Sequence, residues 1–385
     1  MTGQQQDILS LSPESLARWL DEAHEPPYRL DQILRRLHRE YADSFDRMTE
    51  LPEPLRNKLA SRFSIASVVA VARLSSKDAQ TEKFLFRLCD GEQIECVSMS
   101  DRGRLTFCIS SQAGCALDCR FCATGAAGIR RNLTVSEILG QVTALARAKG
   151  GLRNIVFMGM GEPLLNCGAV FPALEALADA RRLGLSPRHI TISTAGITPA
   201  IKRLAKWTVK PNLALSLNSP FDEQRSELMP INRKYPLTEL LDACEEYSRS
   251  SGRRLLIEYV LIRDVNDCPA AAQALAEIAR RLNALVNLIS FNPVQGTGFE
   301  PPASDEISKF RSALERRRVE VTQRFRRGRE IAAACGQLTG RHADAANGSS
   351  APASRARSRN SSPFDPSRLL GGSNVERREA PDDSR

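Results

Sequence analysis

A regular alternation of strand-like and helix-like segments between about residues 104 and 300 constrains the fold of this 385-residue chain more than any other feature. Short apolar runs such as NIVFMG (154–159) and HITIST (189–194) are separated by segments with apolar residues at helical spacing. A further helix, DEISKFRSALERRR, and a strand, VEVTQRF, continue the series. About six or seven βα units in succession predict an α/β fold whose parallel sheet closes, fully or partly, into a barrel. The functional site of such a barrel lies in the loops after the strands.

Other zones flank this alternation. Residues 1–70 carry apolar residues at helical spacing and predict a small helical domain. Residues 71–103 alternate like strands around a DG turn signal, which predicts a β-hairpin connector ahead of a barrel at 104–340. Residues 341–385 are rich in Ser, Ala, Arg and Asp, with few large apolar residues, and predict a disordered tail.

Composition excludes some classes of protein. With 42% hydrophobic and 26% charged residues, the chain is neither a membrane protein nor wholly disordered. It has no apolar run of about eighteen residues and no secretory signal pattern at its start, so we expect a cytoplasmic protein with reduced thiols. The net charge of +9 weakly favours an anionic partner. The basic residues of the helical zone are, from charge alone, better explained as a solvated face. They are Arg29, Arg35, Arg36, Arg39, Arg56, Lys58 and Arg62.

Three of the ten cysteines form a compact C-x3-C-x2-C pattern in GCALDCRFCATG: Cys115, Cys119 and Cys122. This spacing lets a short loop after the first barrel strand fold its sulfurs around one metal centre. Three ligands leave one coordination position open, as catalytic centres do. We interpret the pattern as an iron–sulfur cluster site, and a zinc site completed by a distant Cys or His is the alternative. Five other cysteines are interpreted as small buried hydrophobic residues: Cys89, Cys96, Cys167, Cys244 and Cys268.

Longer motifs follow one another from about Pro27 to Gly340. They are FCISSQAGCALDCRFCATG, RNLTVSEILGQV, FMGMGEPLLN, ITISTAG, LMPINRKYPL, IEYVLI, VNLISFNP and AACGQL. The cysteine pattern resembles the radical S-adenosylmethionine (SAM) superfamily, and the set of motifs resembles its RlmN/Cfr group of RNA methyltransferases. EPLLN and the N-terminal zone favour the adenine C2-specific branch, whereas SLNSP (216–220) resembles the C8-specific branch.

The resemblance implies a set of cofactor-binding residues. Cys115, Cys119 and Cys122 would hold a [4Fe-4S] cluster whose open iron binds SAM, and a one-electron reduction would then cleave SAM to a 5′-deoxyadenosyl radical. The remaining SAM contacts implied by the family motifs are Gly161, Glu162, Ser193, Ser216, Leu217, Asn218 and Asn292. Without the resemblance, these residues would be interpreted as glycine turns and polar strand ends.

The resemblance also implies work for two further cysteines and a carboxylate. Cys335 would accept a methyl group from one SAM, and the radical from a second SAM would remove a hydrogen from that methyl. The carbon radical would add to adenine, and Cys108 would release the product by forming a disulfide with Cys335. Glu95 matches the family's base for the ring proton.

The implied partners are RNA and an electron donor. The resemblance indicates 23S rRNA near the peptidyl-transferase centre, tRNA at the adenosine 3′ to the anticodon, and a donor such as flavodoxin or ferredoxin. We expect a monomer without membrane association. The resemblance also supports RNA contact by residues 1–70 and by a basic group just before Cys335. That group is Arg316, Arg317, Arg318, Arg324, Arg326, Arg327 and Arg329. The alternatives are a C8-specific methyltransferase of 23S rRNA and a non-catalytic RNA-binding protein with structural zinc.

Two positions depart from the family pattern. Asn218 stands where the common SLHA motif has His, so this side chain can donate a hydrogen bond but cannot become charged. Ala332 replaces an acidic residue of the usual DIDAAC, which bears on the ordering of the loop near Cys335. Neither change affects the three metal ligands or the two working thiols.

Overall fold

The computed structural model describes residues 5–65, 68–101, 103–324 and 329–340, and its first part is helical. The elements there are β1 Gln6–Asp7, α1 Pro13–Glu22, α2 Arg29–His38, α3 Glu53–Arg62 and β2 Phe63–Ser64. β1 and β2 pair in parallel and close this region at its two ends. Ser12 caps α1 by accepting the amide N–H of Ser15 at 3.1 Å.

The helical region packs directly against the remainder of the molecule. The buried Arg182 guanidinium donates to the Leu9 carbonyl at 2.7 Å and to a ring nitrogen of His38 at 3.3 Å. Arg39 donates to the carbonyls of Leu183 and Ala180, at 3.1 and 2.8 Å. Burial lowers the pKa of His38 to about 3, with the charge of Arg182 acting in the same direction, so this imidazole is neutral.

Three antiparallel strands follow: β3 Val68–Ser75, β4 Thr81–Leu88 and β5 Gln93–Asp101. The DG signal lies between β4 and β5, where Gly91 adopts a φ of +88° that favours glycine. The amide of Gly91 donates to the Leu88 carbonyl at 3.1 Å and closes the turn. These strands extend the main sheet, because β5 pairs with the first strand of the barrel.

The alternating region contains the predicted strands and helices. Its strands are β6 Arg104–Cys108, β7 Gln112–Gly114, β8 Ile129–Asn132, β9 Asn154–Phe157, β10 Ile190–Thr194, β11 Asn212–Ser216, β12 Leu256–Leu261, β13 Leu285–Ser290 and β14 Val321–Arg324. Its helices are α4 Ala123–Ala126, α5 Val135–Lys149, α6 Cys167–Ala178, α7 Thr198–Ala205, α8 Asp222–Leu228, α9 Leu237–Ser251, α10 Pro269–Arg281 and α11 Ser304–Arg316. Thr134 caps α5 in a capping box with Glu137.

The sheet confirms the predicted partial barrel. Over the described residues its strand order is β14-β13-β12-β11-β10-β9-β6-β5-β4-β3. The strands from β6 to β14 in this order are parallel, and β14 and β6 lie apart in the sheet rather than pairing, so the barrel is open. β7 and β8 form a separate antiparallel pair beside the strand ends. The predicted tail, 341–385, lies outside the described residues.

Candidate active site

A pocket, here called the barrel pocket, lies at the carboxyl ends of the parallel strands. Most residues singled out from the sequence line it: Cys115, Cys119, Cys122, Gly161, Glu162, Ser193, Ser216, Asn218, Asn292 and Cys335. Taken over the described part of the chain, the lining leaves out Leu217, Cys108 and Glu95. Residues from strands and loops far apart in the chain therefore meet in one cavity.

The cysteine loop, residues 115–122, joins β7 to α4. Gly114 precedes it with a φ of +83°, and a Cβ at this position would lie 2.0 Å from the Gly128 carbonyl oxygen. Only glycine therefore permits this close approach of the two backbones. The amide of Cys122 donates to the carbonyl of Cys119 at 3.1 Å, which turns the loop back toward the pocket.

Two thiols of this loop, Cys115 and Cys119, resist deprotonation when no metal is bound. Burial raises the pKa of Cys115 to about 12 and that of Cys119 well above its usual range, and neighbouring thiols raise both further. Iron would supply the missing positive charge, so the donor set fits an iron–sulfur cluster. Among the described residues no group of His, Cys, Asp or Glu converges on a single metal ion. A cluster needs no such convergence, because each thiolate binds a different iron.

A glycine turn after β9 presents Glu162 to the pocket. Gly161 has a φ of +95°, and a Cβ there would lie 2.5 Å from the Gln112 side chain. The Glu162 carboxylate accepts the amides of Ala195 (2.8 Å) and Leu164 (3.1 Å). Burial nevertheless raises the pKa of Glu162 to about 7, since these bonds offset only part of the desolvation. A cationic group bound in the pocket would favour the charged form.

Polar side chains at the strand ends fit a bound cofactor. The hydroxyl oxygens of Ser193 and Ser216 lie 3.3 Å apart across β10 and β11. The Nδ2 of Asn292 donates to the Cys335 carbonyl at 3.3 Å, while its buried Oδ1 has no hydrogen-bond partner within the described residues. A buried acceptor without a partner costs free energy, and a donor on a bound cofactor would remove that cost.

Asn218, the first departure from the family pattern, is held by the neighbouring strand. Its φ of +57° is a left-handed conformation that asparagine tolerates. Its Oδ1 accepts the Val260 amide at 2.9 Å, and its carbonyl accepts Asn266 Nδ2 at 2.7 Å. The amide side chain therefore stabilises the turn after β11 while lining the pocket.

Arg225 supports the strand ends and was not identified from the sequence. It is fully buried, and its guanidinium donates to the carbonyls of Leu217 (3.0 Å) and Ala195 (2.6 Å) and to Asn232 Oδ1 (2.6 Å). Burial lowers its pKa to about 10, so it remains charged at neutral pH. Leu217 thus contributes its backbone to this support. The sequence carried no signal, because an arginine in the polar helix DEQRSEL is typical of an exposed position.

Glu258 was also not identified from the sequence as a candidate site residue, although its position in the sequence indicates one. It is a carboxylate inside the apolar strand LIEYVL, it is 5% exposed, and it lines the barrel pocket. Its Oε2 accepts Asn287 Nδ2 at 2.7 Å, and Thr322 donates to Asn287 Oδ1 at 3.1 Å. This chain of bonds across three strands fixes the carboxylate, and buried charges in apolar strands are candidates for binding.

The segment of residues 329–340, here called the Cys335 segment, lies over the pocket. The Ala123 amide donates to the Gly336 carbonyl at 2.8 Å, and the Thr124 hydroxyl donates to the Leu338 carbonyl at 2.6 Å. Both donors follow the cysteine loop directly in the chain. Cys335 itself is exposed and lines the pocket.

The other two predicted catalytic residues, Cys108 and Glu95, are buried and are not among the described residues that line the barrel pocket. Cys108 is a buried free thiol at the end of β6. Glu95 is buried on β5, where Lys83 and the amides of Thr339 and Gly340 contact its carboxylate. Its role as a base stays a prediction.

The remaining cysteines differ in burial. Cys96 and Cys244 are buried as predicted. The prediction is wrong for Cys89, which is exposed in the turn after β4, and only partly right for Cys167 and Cys268, which are half-buried at the start of α6 and just before α10. A turn and a helix start leave one side of a small residue open to solvent.

Many of the basic residues noted in the sequence have partners within the chain. Arg36 pairs with Glu50, and Lys58 pairs with Glu25 at 2.9 Å. Arg62 is exposed and lies 5.9 Å from the centre of the Phe63 ring. Of the second basic group, the structure describes the side chains at 316–318, and those of Arg324, Arg326, Arg327 and Arg329 lie outside the described residues.

Two family models match the chain. The Radical SAM superfamily model covers residues 109–274, and the model of the ribosomal RNA large subunit methyltransferase N-terminal domain covers residues 6–65. Together with three cysteines at the strand ends of an open barrel, these matches define a radical SAM enzyme that methylates RNA. Such an enzyme uses a [4Fe-4S] cluster and SAM.

Comparison with individual relatives identifies the family within this class of radical SAM enzymes. The chain is 48% identical over 338 residues to the probable dual-specificity RNA methyltransferase RlmN of Gemmatimonas aurantiaca, covering 86% of this chain and 92% of that protein. It is 42% identical to the dual-specificity RNA methyltransferase RlmN of Syntrophotalea carbinolica, covering 87% and 90%. The crystal structure of a radical SAM methyltransferase from Sphaerobacter thermophilus superposes with a TM-score of 0.85 at 41% identity, covering 87% of this chain and 100% of that one. The chain belongs to the RlmN family of RNA methyltransferases.

In the part of the chain that the structure describes, no helix combines the length and the apolar character needed to cross a bilayer.

Proposed function

We propose that this protein methylates C2 of a specific adenosine in 23S rRNA, near the peptidyl-transferase centre, and of the adenosine 3′ to the anticodon in tRNAs. The methyl group travels on Cys335. The observation that carries the proposal is the position of Cys335, which lines the same pocket as Cys115, Cys119 and Cys122. The dual-specificity name of the relatives supports two RNA substrates.

In the first half of the reaction, the chain holds SAM beside the Cys335 thiol. Glu162 attracts the cationic groups of SAM, and the strand-end amide of Asn292 accepts a hydrogen bond from it. The Cys335 thiolate attacks the methyl carbon, a sulfur–carbon bond forms, and the bond from that carbon to the SAM sulfonium breaks. When bound, the cluster and a second SAM supply the radical that removes one hydrogen atom from the methyl group.

In the second half, the methylene carbon on Cys335 bonds to adenine C2. The ring then loses its C2 proton, which Glu95 accepts, and one electron, for which the oxidised cluster would be the acceptor when bound. The Cys108 thiolate attacks the Cys335 sulfur, so that the sulfur–methylene bond breaks and a disulfide forms. The methylene takes up a proton and becomes the product methyl group, and an external thiol reduces the disulfide.

The partners of this reaction are RNA and an electron donor. Arg62 on the helical region and the arginines at 316–318 are available for phosphate contacts, and the target base must leave its stack to reach the pocket. We infer that flavodoxin or ferredoxin supplies the electron and that the protein acts as a monomer.

The test is nucleoside analysis of RNA treated with enzyme purified and reconstituted without oxygen. We expect 2-methyladenosine in both a 23S rRNA fragment and tRNA transcripts, supplied with SAM and a reductant. 8-Methyladenosine as the product would instead support the C8-specific alternative, which the SLNSP motif favours. Methylation of rRNA alone would remove the tRNA part of the proposal.

Cysteine variants separate the steps. Cys335→Ala should keep the cluster and reductive SAM cleavage but lose RNA methylation, because the methyl carrier is gone. Cys119→Ala should lose the iron–sulfur absorbance and SAM cleavage together. Cys89→Ala, in an exposed turn, is the matched control and should behave as the wild type. If Cys335→Ala still methylates RNA, the carrier role is wrong, and stoichiometric zinc without SAM cleavage would support the zinc-containing RNA-binding alternative.

A further inference from the structure

The Glu95 carboxylate is fully engaged with the Cys335 segment. Glu95 is 1% exposed, and its Oε2 accepts the amide N–H groups of Thr339 (2.6 Å) and Gly340 (3.0 Å). Its Oε1 lies 2.8 Å from the Nζ of Lys83. Both carboxylate oxygens therefore have partners, and the pair is removed from solvent.

Lys83 connects this carboxylate to the part of the Cys335 segment that precedes Cys335. It is 7% exposed, and its Nζ also donates to the Ala332 carbonyl at 3.3 Å. Ala332 precedes Cys335, whereas the two amides bonded to Glu95 follow it. One buried ion pair therefore fixes the chain on both sides of the reactive thiol.

The sheet sets the position of this ion pair. β4 and β5 are antiparallel neighbours, and Leu85 lies opposite Glu95. Lys83 is two residues from Leu85 along β4, so Lys83 and Glu95 are diagonal neighbours on the same face. The two charges are consequently preorganised by backbone pairing before the Cys335 segment docks.

We propose that Lys83 is a positioning residue for the methyl carrier: with Glu95 it latches the Cys335 segment over the barrel pocket. The proposal rests on the proposed function, in which Cys335 accepts a methyl group there. Charge-assisted hydrogen bonds in a buried site are stronger than neutral ones, which suits them to hold a segment that is only partly buried. Glu95 is 1% exposed and does not line the barrel pocket, so adenine can reach it only after the Cys335 segment moves, and the latch must open between the two halves of the reaction.

Hydrogen exchange of the full-length holoenzyme tests the latch directly. Lys83→Met leaves Glu95 buried without its counter-charge, which weakens the bonds to Thr339 and Gly340. We expect the amides of residues 336–340 to exchange roughly tenfold faster than in the wild type, the change for loss of about one charge-assisted hydrogen bond. Lys83→Arg, which keeps the charge, should restore slow exchange.

Lys149→Met is the matched control. Lys149 pairs with buried Glu82, the residue next to Lys83, and Glu82 keeps Arg73 as a second partner. Exchange in 336–340 should therefore remain at the wild-type rate in this variant. If Lys83→Met and Lys149→Met exchange alike in this segment, the latch is wrong. Should Lys83→Met fail to fold, Thr339→Pro removes one latch donor at an exposed position and should also speed exchange at Gly340.

Methylation of Cys335 provides the functional measurement. The holoenzyme is incubated with SAM alone, so that no radical forms, and the mass gain of one methylene on the Cys335 peptide is followed. Lys83→Met should methylate Cys335 roughly tenfold more slowly, with the arginine variant and Lys149→Met close to the wild type. A Lys83→Met rate equal to the wild type would overturn the positioning role.

The two measurements distinguish a failure of the latch from a failure of the proposed carrier chemistry. If the wild type never methylates Cys335 although exchange responds to Lys83→Met, the latch stands and the proposed carrier chemistry fails. If Cys335 is methylated in the wild type but exchange and methylation ignore Lys83, the carrier chemistry stands and the latch fails.

Discussion

Two parts of the active site are built in opposite ways. The pocket wall, formed by the turns at 159–163, 193–196 and 216–219, is held by buried polar groups, above all the guanidinium of Arg225. The Cys335 segment carries an exposed thiol and is held by side chains of other elements, namely Thr124 and the Lys83–Glu95 pair. The wall is part of the core, whereas the segment is docked on it.

This difference matches what the chemistry requires of each part. A cluster and SAM must be held in fixed geometry and away from water, which buried networks on strand ends provide. In the proposed reaction Cys335 meets first SAM, then adenine and then Cys108, so its thiol cannot be fixed in one position. A few strong contacts at the two ends of its segment allow defined docking and release.

The largest expected effect is on the free energy of unfolding and comes from a change in the pocket wall. Arg225→Met leaves the Leu217 and Ala195 carbonyls and the Asn232 side chain without their donor, and we expect a loss of about 3–5 kcal/mol in the free energy of unfolding. Denaturant unfolding of the variant measures this loss. The control Arg203→Met removes an exposed guanidinium that lies on aromatic rings and should cost less than about 1 kcal/mol. Equal losses in the two variants would show that the buried network does not hold the wall.

A smaller effect concerns the charge inside the wall. Because burial raises the pKa of Glu162 from 4.5 to about 7, the folded metal-free protein binds this proton more tightly than the unfolded chain does. The stabilisation is complete below pH 4.5 and is lost as the pH rises through 7, a change of about 3 kcal/mol. Glu162→Gln should remove this dependence. Unfolding free energies measured between pH 5 and 8 that fall equally in both proteins would assign the dependence to other groups.

The smallest effect lies in the docked segment. Thr124→Val removes the hydroxyl that donates to the Leu338 carbonyl, with little change in side-chain shape. Global unfolding should change by about 1 kcal/mol or less, while amide exchange in residues 336–340 should become a few-fold faster. Thr143→Val removes a similar bond to Gly140 inside α5 and should leave that exchange unchanged. Exchange that stays slow in the Thr124 variant would place the segment in the core rather than docked on it.

Much of the fold was accessible from local pattern. The alternation of periods located the parallel strands between residues 104 and 324 and the helices between them, and the DG signal located the β4–β5 turn. The sequence did not predict how residues 71–103 are joined to the barrel. Hairpin periodicity cannot show that β5 pairs with β6, because that pairing is set by tertiary packing.

The candidate site divides in the same way. The cysteine spacing and the glycine turn at Gly161 are local features, so the sequence displayed them. Arg225 gave no signal, because its partners at 195, 217 and 232 come together only through packing. Glu95 could be matched to a motif, but its engagement with the Cys335 segment could not, since the amides it binds lie 244 and 245 residues away.

The sequence by itself determined the elements, the three adjacent cysteines and the family, because each depends on periodicity or on the order of residues along the chain. The tertiary structure decided how the chemistry is assembled: Thr124 meets Leu338, 214 residues away, and this contact docks Cys335 beside the cysteine loop. Hydrogen-bond partners so distant in sequence are fixed by the stacking of strands and the burial of charge, which no local pattern encodes.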